Sequence, residues 1–436
     1  MPRTISTNFG EPLSTESKRL INEVRLKINQ PIHPGFDNDF NIYRFVLACE
    51  RAAKKNIVDA AAKTLNNHLR IRKAFKLDDL PDISFSENPI FSKRLLPMGR
   101  ILEATDNSNR LLWYVEYKTI DIEAIAYSVR TSESLRLQFL QFEHMLKRVN
   151  KQEEKTGHLS ALRHIVDMNG FEINPFTMML ATNGSLAYFS QLLHYENYPE
   201  LVSPVEMVNI SKWIHFPYKI ARAMMPDDFT ERFRLYDENF LSTLLNDIKI
   251  EDIPVTLGGK NEEIKCRPAT KHTVDQCFNL VNFDSPSNLE TIVISPRKRR
   301  QIYVDVNEDA RWLQWYFTTD GDINFGVFYE APDQKRPTEG MIMNKQHERD
   351  IDFDELEMVY PWLKLVAKLV PEMDKIECTK PGRYWIIICN KSSWIHRKKV
   401  SLLIQLVDKT NSNVKRCHCD GTFSNSSKSL TIDYLL

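Results

Sequence analysis

The spacing of apolar residues predicts a helical unit at the start of the chain. An amphipathic segment begins at residues 39–45, and a second one covers residues 56–75. The apolar positions of the second segment recur at close to helical spacing and are Ile57, Ala61, Leu65, Leu69 and Ile71. Such spacing places these side chains on one face of a helix. The helical pattern continues to about residue 110, so we expect a helical N-terminal region.

Strand-like and helix-like segments alternate between about residues 111 and 260. The predicted strands are 111–117, 163–168, 205–210 and 232–237. The predicted helices are 132–149, 175–182, 185–196, 213–226 and 240–248, and the polar stretch NKQEEKTG after residue 149 is predicted to be a loop. Strands that alternate with helices are typical of a mostly parallel sheet. We therefore predict an α/β unit in the middle of the chain.

The pattern changes to a period of two from about residue 290. The segments RWLQWYFTT and DINFGVFYE flank an Asp-Gly pair, which is a strong hairpin signal. RYWIIIC and KKVSLLIQLV have the composition of two further strands. These features predict an antiparallel β-sandwich of roughly 130–150 residues, by comparison with typical sandwich domains. A polar tail is expected after residue 410.

Composition and charge narrow the class of protein. Lys and Arg number 58 and so do Asp and Glu, so bulk charge gives no reason to expect nucleic acid as a partner. No apolar run approaches the roughly 18–20 residues that cross a bilayer, so any membrane contact should be peripheral. The seven cysteines include no C-x-x-C pair, which favours a reducing, cytoplasmic compartment.

Tests for enzyme and metal motifs fail. The sequence has no G-x-G-x-x-G, no phosphate-binding G-x-x-x-x-G-K and no G-x-S-x-G elbow. DIDFDE (350–355) lacks the glycine and the final glutamate of a calcium loop, and the Cys-His-Cys run at 417–419 has no second ligand pair. Asp167 has no visible catalytic partner, so we expect it to cap the following turn. We therefore expect no catalysis, no cofactor and no metal.

Several motifs, taken in order, resemble the CRAL-TRIO lipid-binding family followed by a GOLD domain. The matching segments are NIYRFVLA, HLRIRKAFKLDDL, HIVDMNG, YENYPELV, IPVTLGGKNE, WLQWYFTTDGDINFGVFYE and CTKPGRYWIIICNKSSWIHRKKVSLLIQL. The resemblance covers about residues 30–400 and is similar to the animal CRAL-TRIO–GOLD proteins. It implies a helical subdomain, then an α/β lipid-binding fold with a mostly parallel sheet and a helical lid, then a GOLD antiparallel sandwich.

The resemblance also implies domain boundaries. We predict an N-terminal segment, a helical subdomain, a lipid-binding domain, a linker, a GOLD domain and a C-terminal tail, at residues 1–30, 31–95, 96–262, 263–288, 289–410 and 411–436.

The segment WIHFPYKIARAMMP occupies the position of the family's lid. Apolar side chains cover nearly all of this predicted helix, which fits a surface that faces a lipid or a membrane. An ordinary core helix would have the same pattern. The residues predicted to line the acyl pocket are Trp213, Phe216, Tyr218, Ile220, Met224 and Met225.

Two residues are predicted from the resemblance to bind a lipid headgroup. Glu200 ends the Tyr-Pro-Glu corner, where phosphatidylinositol-binding members contact the inositol. Arg232 falls where those members have a phosphate-binding basic residue, and a guanidinium suits phosphate. The family's additional basic cluster is displaced here, and Arg51, Lys54 or Lys55 could replace it. A Glu200–Arg232 salt bridge without ligand is the structural alternative.

The resulting hypothesis is a lipid carrier that exchanges a phosphatidylinositol-like lipid at membranes. His164 and Leu162, next to the central strand's aspartate, argue against a phosphatidylcholine site because the members that bind this lipid have small hydroxyl residues there. Two alternatives stay open: a carrier of a small neutral ligand such as a tocopherol, retinoid or sterol precursor, and a trafficking scaffold that acts through its GOLD domain. Residues 394–399 offer an amphipathic edge for a protein or membrane partner, or a plain hairpin turn. The RKRR run at 297–300 is expected to be a solvated surface cluster, and a localisation signal or a membrane patch is the alternative.

Overall fold

A computed structural model describes residues 5–80, 84–172, 196–211, 232–236, 238–271, 286–308, 310–332, 352–410, 412–426 and 428–432. Its helices are α1 (Thr15–Arg25), α2 (Asp39–Arg51), α3 (Ile57–Phe75), α4 (Pro89–Ser92), α5 (Ile122–Ser128), α6 (Thr131–Thr156) and α7 (Phe240–Leu244). Its strands are β1 (Arg100–Thr105), β2 (Leu111–Glu116), β3 (Leu162–Asp167), β4 (Val202–Val208), β5 (Phe233–Leu235), β6 (Glu290–Ile294), β7 (Arg299–Val306), β8 (Ala310–Thr319), β9 (Asp322–Glu330), β10 (Glu357–Val366), β11 (Glu372–Glu377), β12 (Gly382–Cys389), β13 (Lys398–Asp408), β14 (Val414–Cys417) and β15 (Phe423–Ser426).

The first three helices each begin at a side chain that caps the helix. Ser14, Asn38 and Asn56 accept hydrogen bonds from backbone N–H groups at 3.1, 2.8 and 3.4 Å. A capping oxygen satisfies a donor that has no partner inside the helix. The helices predicted at 39–45 and 56–75 are confirmed as α2 and α3, and α1 packs into the same core. None of the helices that the structure describes has the length and apolar character needed to cross a membrane.

The middle of the chain forms a five-stranded sheet in the order β1-β2-β3-β4-β5. Strands β2 to β5 run parallel to one another, and β1 is antiparallel to β2, so the predicted mostly parallel sheet is confirmed. The prediction of helix up to residue 110 is wrong at β1. Every side chain of this edge strand is exposed or only half-buried, so its sequence RILEAT lacks the apolar run of an interior strand.

Helix α6 continues to Thr156, so the loop predicted after residue 149 is wrong. Some of the polar side chains in this last part form hydrogen bonds with neighbouring elements, so the polar sequence does not mark a loop here. Glu153 is buried and accepts hydrogen bonds from Arg44 of α2 at 2.7 Å and from the backbone of Ser160 at 2.9 Å. The helix ends at Gly157, whose φ of 71° is left-handed and favours glycine. The helices predicted at 175–182 and 213–226, and nearly all of 185–196, lie outside the described residues.

The C-terminal part is an antiparallel sandwich of two sheets, as predicted. One sheet has the order β10-β9-β12-β7, and the other has β11-β8-β13-β14-β15 with β6 also pairing with β13. Strands β14 and β15 fall in the segment predicted to be a tail, and they extend the second sheet. The first residues of the predicted linker pack on the middle region, since Met98 and Arg267 form a β-bridge that holds this segment beside α4 and β1.

The sandwich packs directly against the helical part of the chain. Arg70 of α3 donates hydrogen bonds to the backbone carbonyls of Phe353 and Leu356, at 2.7 and 3.0 Å. Glu372 of β11 accepts a hydrogen bond at 3.0 Å from the backbone of Ser132 in the first turn of α6. A carboxylate at this position also complements the positive end of the helix dipole. The sandwich therefore contacts α3 in the N-terminal region and α6 in the middle region.

Candidate functional site

The Tyr-Pro-Glu corner forms a tight turn immediately before β4. The backbone N–H of Leu201 donates to the carbonyl of Tyr198 at 3.3 Å. Glu200 has a left-handed φ of 58°, which is uncommon for a residue other than glycine and marks a constrained position. The turn directs the glutamate side chain into the protein, where the exposed fraction of this side chain is 0%.

Two guanidinium groups from distant parts of the chain meet the Glu200 carboxylate. Arg51, at the end of α2, places Nη1 3.3 Å from Oε2. Arg232, just before β5, places Nη2 3.0 Å from Oε1. Both arginine side chains are about nine-tenths buried, at 12% and 8% exposure. The salt bridge that sequence reasoning gave as the structural alternative is therefore present, and it has a second arginine.

The polar atoms of this cluster are incompletely satisfied within the part of the chain that the structure describes. Both carboxylate oxygens of Glu200 are buried and accept no hydrogen bond of good geometry, so the contacts to the arginines are ion pairs only. Nε of Arg51 is also buried and finds no acceptor there. Buried polar groups without partners are rare and costly, and they concentrate where a ligand or water completes the network.

Arg51 is the basic residue that the structure brings to the corner, out of the three that the sequence left open. Lys54 and Lys55 are exposed in the turn after α2. The Arg51 guanidinium also lies 5.3 Å from the centre of the Phe9 ring, in cation–π range, which fixes its direction.

A buried network behind the corner holds its tyrosine in place. The Tyr198 hydroxyl donates to Glu143 of α6 at 2.5 Å, and Glu143 also forms a salt bridge with Arg72 of α3 at 2.5 Å. Burial, followed by the negative charge of Glu143, raises the pKa of Tyr198 well above its ordinary value. His68 of α3 lies 3.4 Å from the side chain of Asn197. The corner is therefore built on α3 and α6.

The predicted acyl-pocket residues lie outside the described residues. This holds for every one of them, namely Trp213, Phe216, Tyr218, Ile220, Met224 and Met225. The sheet face on the same side as α5 is apolar where it is described, and its buried side chains include Val115, Val166 and Val205. The pocket itself stays a prediction.

His164 packs as an aromatic core residue. Its ring stacks on Trp113 of β2, with ring centres 3.5 Å apart and planes 8° from parallel. Complete burial lowers the pKa of His164 to about 3, because the charged imidazolium would lose its hydration. Asp167, three residues on, accepts hydrogen bonds from the backbone of Asn169 at 2.9 Å and from Asn209 at 2.8 Å, which confirms its turn-capping role.

Sequence reasoning missed a buried ion pair on the opposite face of the sheet. Arg163 of β3 contacts both oxygens of Glu206 of β4, at 2.7 and 3.1 Å. Asp106 and Asp247 lie 3.3 and 3.2 Å from the same guanidinium, and Tyr236 donates to Glu206 at 2.7 Å. The available signal was a charge of each sign inside apolar strands, LRHIVD and VSPVEMV. This pair joins adjacent parallel strands away from the corner.

One open cleft lies between α3 and the sandwich, with a volume of about 400 Å³. Its lining includes Arg70, Lys73, Asp354, Glu357 and Lys380. Charged walls of both signs do not suit acyl chains.

Three family models match successive parts of the chain. Residues 13–80 match a domain of unknown function, DUF8435, and residues 100–259 match the CRAL/TRIO domain. Residues 282–415 match a C-terminal domain model of the F28H7.8-like type. Residues 100–259 therefore match the CRAL/TRIO domain, and they lie between a helical segment and a β-rich C-terminal domain that matches a model named after a CRAL-TRIO relative.

Curated relatives match over most of their own length. The CRAL-TRIO domain-containing protein F28H7.8 of Caenorhabditis elegans is 22% identical over 90% of this chain and 91% of that protein. Protein ctg-1 of the same organism is 19% identical over 82% of this chain and 89% of its own. The Sec14 cytosolic factor of Schizosaccharomyces pombe is 22% identical over 58% of this chain and 85% of its own.

One solved structure, the crystal structure of Sfh5, aligns with 57% of this chain and 85% of that chain. Its sequence identity is 14% and its TM-score is 0.40. The fold of this region is therefore assigned from the CRAL/TRIO domain match and from the strand order of the sheet.

Proposed function

We propose that this chain is a non-enzymatic carrier that holds one phosphatidylinositol-like lipid and exchanges it at membranes. The acyl chains would lie against the apolar sheet face, and the headgroup would lie at the Tyr-Pro-Glu corner. A buried acyl chain gains roughly 0.8 kcal/mol per methylene, so an enclosed site retains a lipid that water rejects. Binding and release require no covalent step, so catalysis is not part of the proposal.

The observation that carries the proposal is the incompletely satisfied cluster around Glu200. A phosphodiester would accept hydrogen bonds from Arg51 and Arg232, including the buried Nε of Arg51. Inositol hydroxyls would donate to the Glu200 oxygens, which accept no hydrogen bond of good geometry among the described residues. A neutral lipid such as a sterol precursor would offer neither a phosphate to Nε of Arg51 nor a set of hydroxyl donors to the Glu200 oxygens. The charge and hydrogen-bond requirements therefore favour a phosphate-bearing headgroup with hydroxyls.

Native mass spectrometry of the full chain from a eukaryotic host, followed by lipid extraction, tests the proposal. We expect phosphatidylinositol in the wild type and a strong loss of it in Arg51→Met and Arg232→Met. Arg148→Met is the matched control, because this arginine is half-buried and pairs with the exposed Glu103. Its lipid content should equal that of the wild type.

Other outcomes separate the alternatives. The same neutral lipid in all variants would mean that the pocket exists and that the corner is a structural salt bridge. A chain that carries no lipid, and that cannot be loaded from phosphatidylinositol vesicles, would support a scaffold instead of a carrier.

The proposal has two finer parts. The two-sheet antiparallel sandwich and its motifs support a GOLD-type identity for the C-terminal domain, with a protein or membrane as its partner. The similarity to a relative named a cytosolic factor supports a cytoplasmic protein that meets membranes transiently. A fluorescent fusion, imaged with and without deletion of residues 289–432, tests both parts together.

A further inference from the structure

Three turns meet at one end of the sandwich and are joined by hydrogen bonds between side chains and backbone. They are the β6–β7 turn, the β8–β9 turn and the longer β12–β13 turn. The side chain of Asn390, which is completely buried, donates to the carbonyls of Ile294 and His396 at 3.1 and 2.9 Å. The backbone of Lys399 donates to Asp320 of the β8–β9 turn at 3.0 Å. These bonds make one connected surface, which we call the sandwich tip and define as residues 293–298, 319–322 and 390–399.

The sandwich tip exposes large apolar side chains. Trp394 is 75% exposed, Ile395 is 80% exposed and Val293 is 61% exposed. Most large apolar side chains of the described residues are covered, so three strongly exposed ones at one end of a domain require an explanation. Trp394 and Ile395 lie in a turn that the Asn390 hydrogen bonds hold in place, so both side chains are exposed in a defined conformation of the turn.

Cationic side chains surround these apolar groups. The exposed basic residues of the tip are Arg297, Lys298, Lys391, Arg397 and Lys399. The Arg297 guanidinium lies 3.3 Å from the centre of the Trp394 ring, which joins the cationic and apolar parts into one patch.

The acidic groups at the tip leave this positive charge largely uncompensated. Asp322 pairs with Lys398 at 3.1 Å and with Lys364 at 2.9 Å, and Asp320 accepts a backbone hydrogen bond. Within the described part of the chain, no carboxylate is recorded in a salt bridge with any of the five exposed basic residues. The tip is therefore both apolar and positively charged.

We propose that the sandwich tip docks the protein on anionic membranes, where its lipid cargo is exchanged. Tryptophan prefers the interface between headgroups and acyl chains, and an exposed isoleucine gains by leaving water. Each Lys or Arg near an anionic surface strengthens binding by roughly fivefold. A protein partner of the same chemistry would need an acidic, apolar patch, whereas an anionic bilayer supplies both properties over any area. The proposal rests on the proposed lipid-carrier function for its purpose, but not for the binding itself.

Vesicle co-sedimentation of the full chain tests the proposal. The probes are vesicles of phosphatidylcholine alone and vesicles with about 30% phosphatidylserine, at low and physiological salt. We expect binding only to the second kind, and weaker binding at higher salt. Trp394→Ser/Ile395→Ser should weaken binding at least tenfold, and Arg297→Glu/Arg397→Glu should weaken it roughly 25-fold or more and reduce its salt dependence.

Matched controls separate a local effect from a general one. Leu26→Ser removes an exposed leucine from the helical region, and Lys63→Glu reverses an exposed charge on α3. Both controls should bind like the wild type. Equal binding by all variants, or no preference for phosphatidylserine, would overturn the proposal, and an acidic protein would then be the better partner for the tip.

Lipid content is measured on the same preparations by native mass spectrometry. The tip variants should retain the lipid of the wild type, because no residue of the tip lies at the Glu200 corner. Lipid in the wild type without vesicle binding would sink the docking proposal and leave the carrier function intact. Vesicle binding that depends on the tip, by a chain that holds no lipid, would support the docking proposal and refute the carrier function.

Discussion

Replacing Glu200 with glutamine removes the negative charge that Arg51 and Arg232 share. The amide has nearly the shape of the carboxylate, so packing at the turn should be preserved. What changes is the charge balance, since two buried guanidinium groups lose their shared counter-charge. Glu200→Gln therefore isolates the electrostatic role of the corner.

The expected magnitude follows from burial. The Glu200 side chain has 0% exposure and both arginines are about nine-tenths buried, so solvent screens these charges weakly. Breaking a buried ion pair by removing one partner costs about 3–5 kcal/mol, because the remaining charge stays buried after losing that counter-charge. A lipid phosphate would supply a replacement anion, so lipid loading should recover part of this loss.

Amide hydrogen exchange of the peptide that covers β4 measures this effect locally. This strand begins two residues after Glu200, and its exchange reports the mixed sheet and not the sandwich. A loss of 3 kcal/mol should accelerate exchange by roughly a hundredfold. Phosphatidylinositol vesicles should slow exchange in the variant more than in the wild type, while phosphatidylcholine vesicles should not.

The double variant Glu200→Gln/Arg51→Met supplies the check. Removing one of the two guanidinium groups should relieve repulsion and recover at least 1 kcal/mol relative to Glu200→Gln. Exchange in Glu200→Gln that stays within threefold of the wild type, with no recovery in the double variant, would refute the electrostatic account of the corner.

Three further predictions concern the scaffold of the site. Because burial holds the pKa of His164 at about 3 against 6.5 for a free imidazole, the unfolded chain takes up a proton below pH 6.5 that the folded chain refuses. Stability should therefore fall by about 1.4 kcal/mol per pH unit between pH 6.5 and about 3 from this residue alone, and urea unfolding of His164→Phe at pH 7 and pH 5 should lack that part of the slope. Arg70→Ala removes two hydrogen bonds from a charged donor to the sandwich, so it should cost about 2–3 kcal/mol and increase protease cleavage between the two regions. Tyr198→Phe leaves Glu143 with one donor fewer and should lower the free energy of unfolding by about 1–2 kcal/mol, measured in urea.

A substitution at an exposed position provides a control for the protease measurement. Lys63→Ala lies on the same helix as Arg70 but is exposed, so its protease sensitivity should match the wild type. A pH slope that is identical in His164→Phe and the wild type would mean that the imidazole titrates normally, and uncleaved Arg70→Ala would mean that other contacts hold the sandwich.

Much of the fold could be predicted because local patterns dominate in its helices and interior strands. Helix α3 runs from Ile57 to Phe75, close to the predicted 56–75, since an asparagine cap and an apolar stripe both mark it. The errors occur where tertiary contacts override a local signal. The sequence around Glu153 predicts a polar loop, but in the structure the Glu153 carboxylate is buried and accepts hydrogen bonds from Arg44 of α2 and from the backbone of Ser160. The edge strand β1 gave no alternating signal because neither of its faces is deeply buried.

Individual residues of the site could be predicted from the sequence, but the way in which they come together could not. The Tyr-Pro-Glu corner and Arg232 came from a family resemblance, and the structure places their charged groups 3.0 Å apart. Nothing local to residues 51–55 distinguishes Arg51 from the two lysines that follow it. The choice depends on where α2 ends relative to β4, which is a property of packing.

Helix α3 connects the corner to the sandwich. His68 and Arg72 contact the network behind the corner, while Arg70, between them, donates to two carbonyls of the sandwich. Residues two apart on a helix point in different directions, so one short segment can hold two partners at once. Any loosening of the sandwich should therefore increase the mobility of α3, and with it the turn that orients Glu200. If the tip docks on membranes as proposed, this shared helix provides one path of contacts from the sandwich to the headgroup site, and Arg70→Ala should weaken that path without changing any residue of the tip or of the corner.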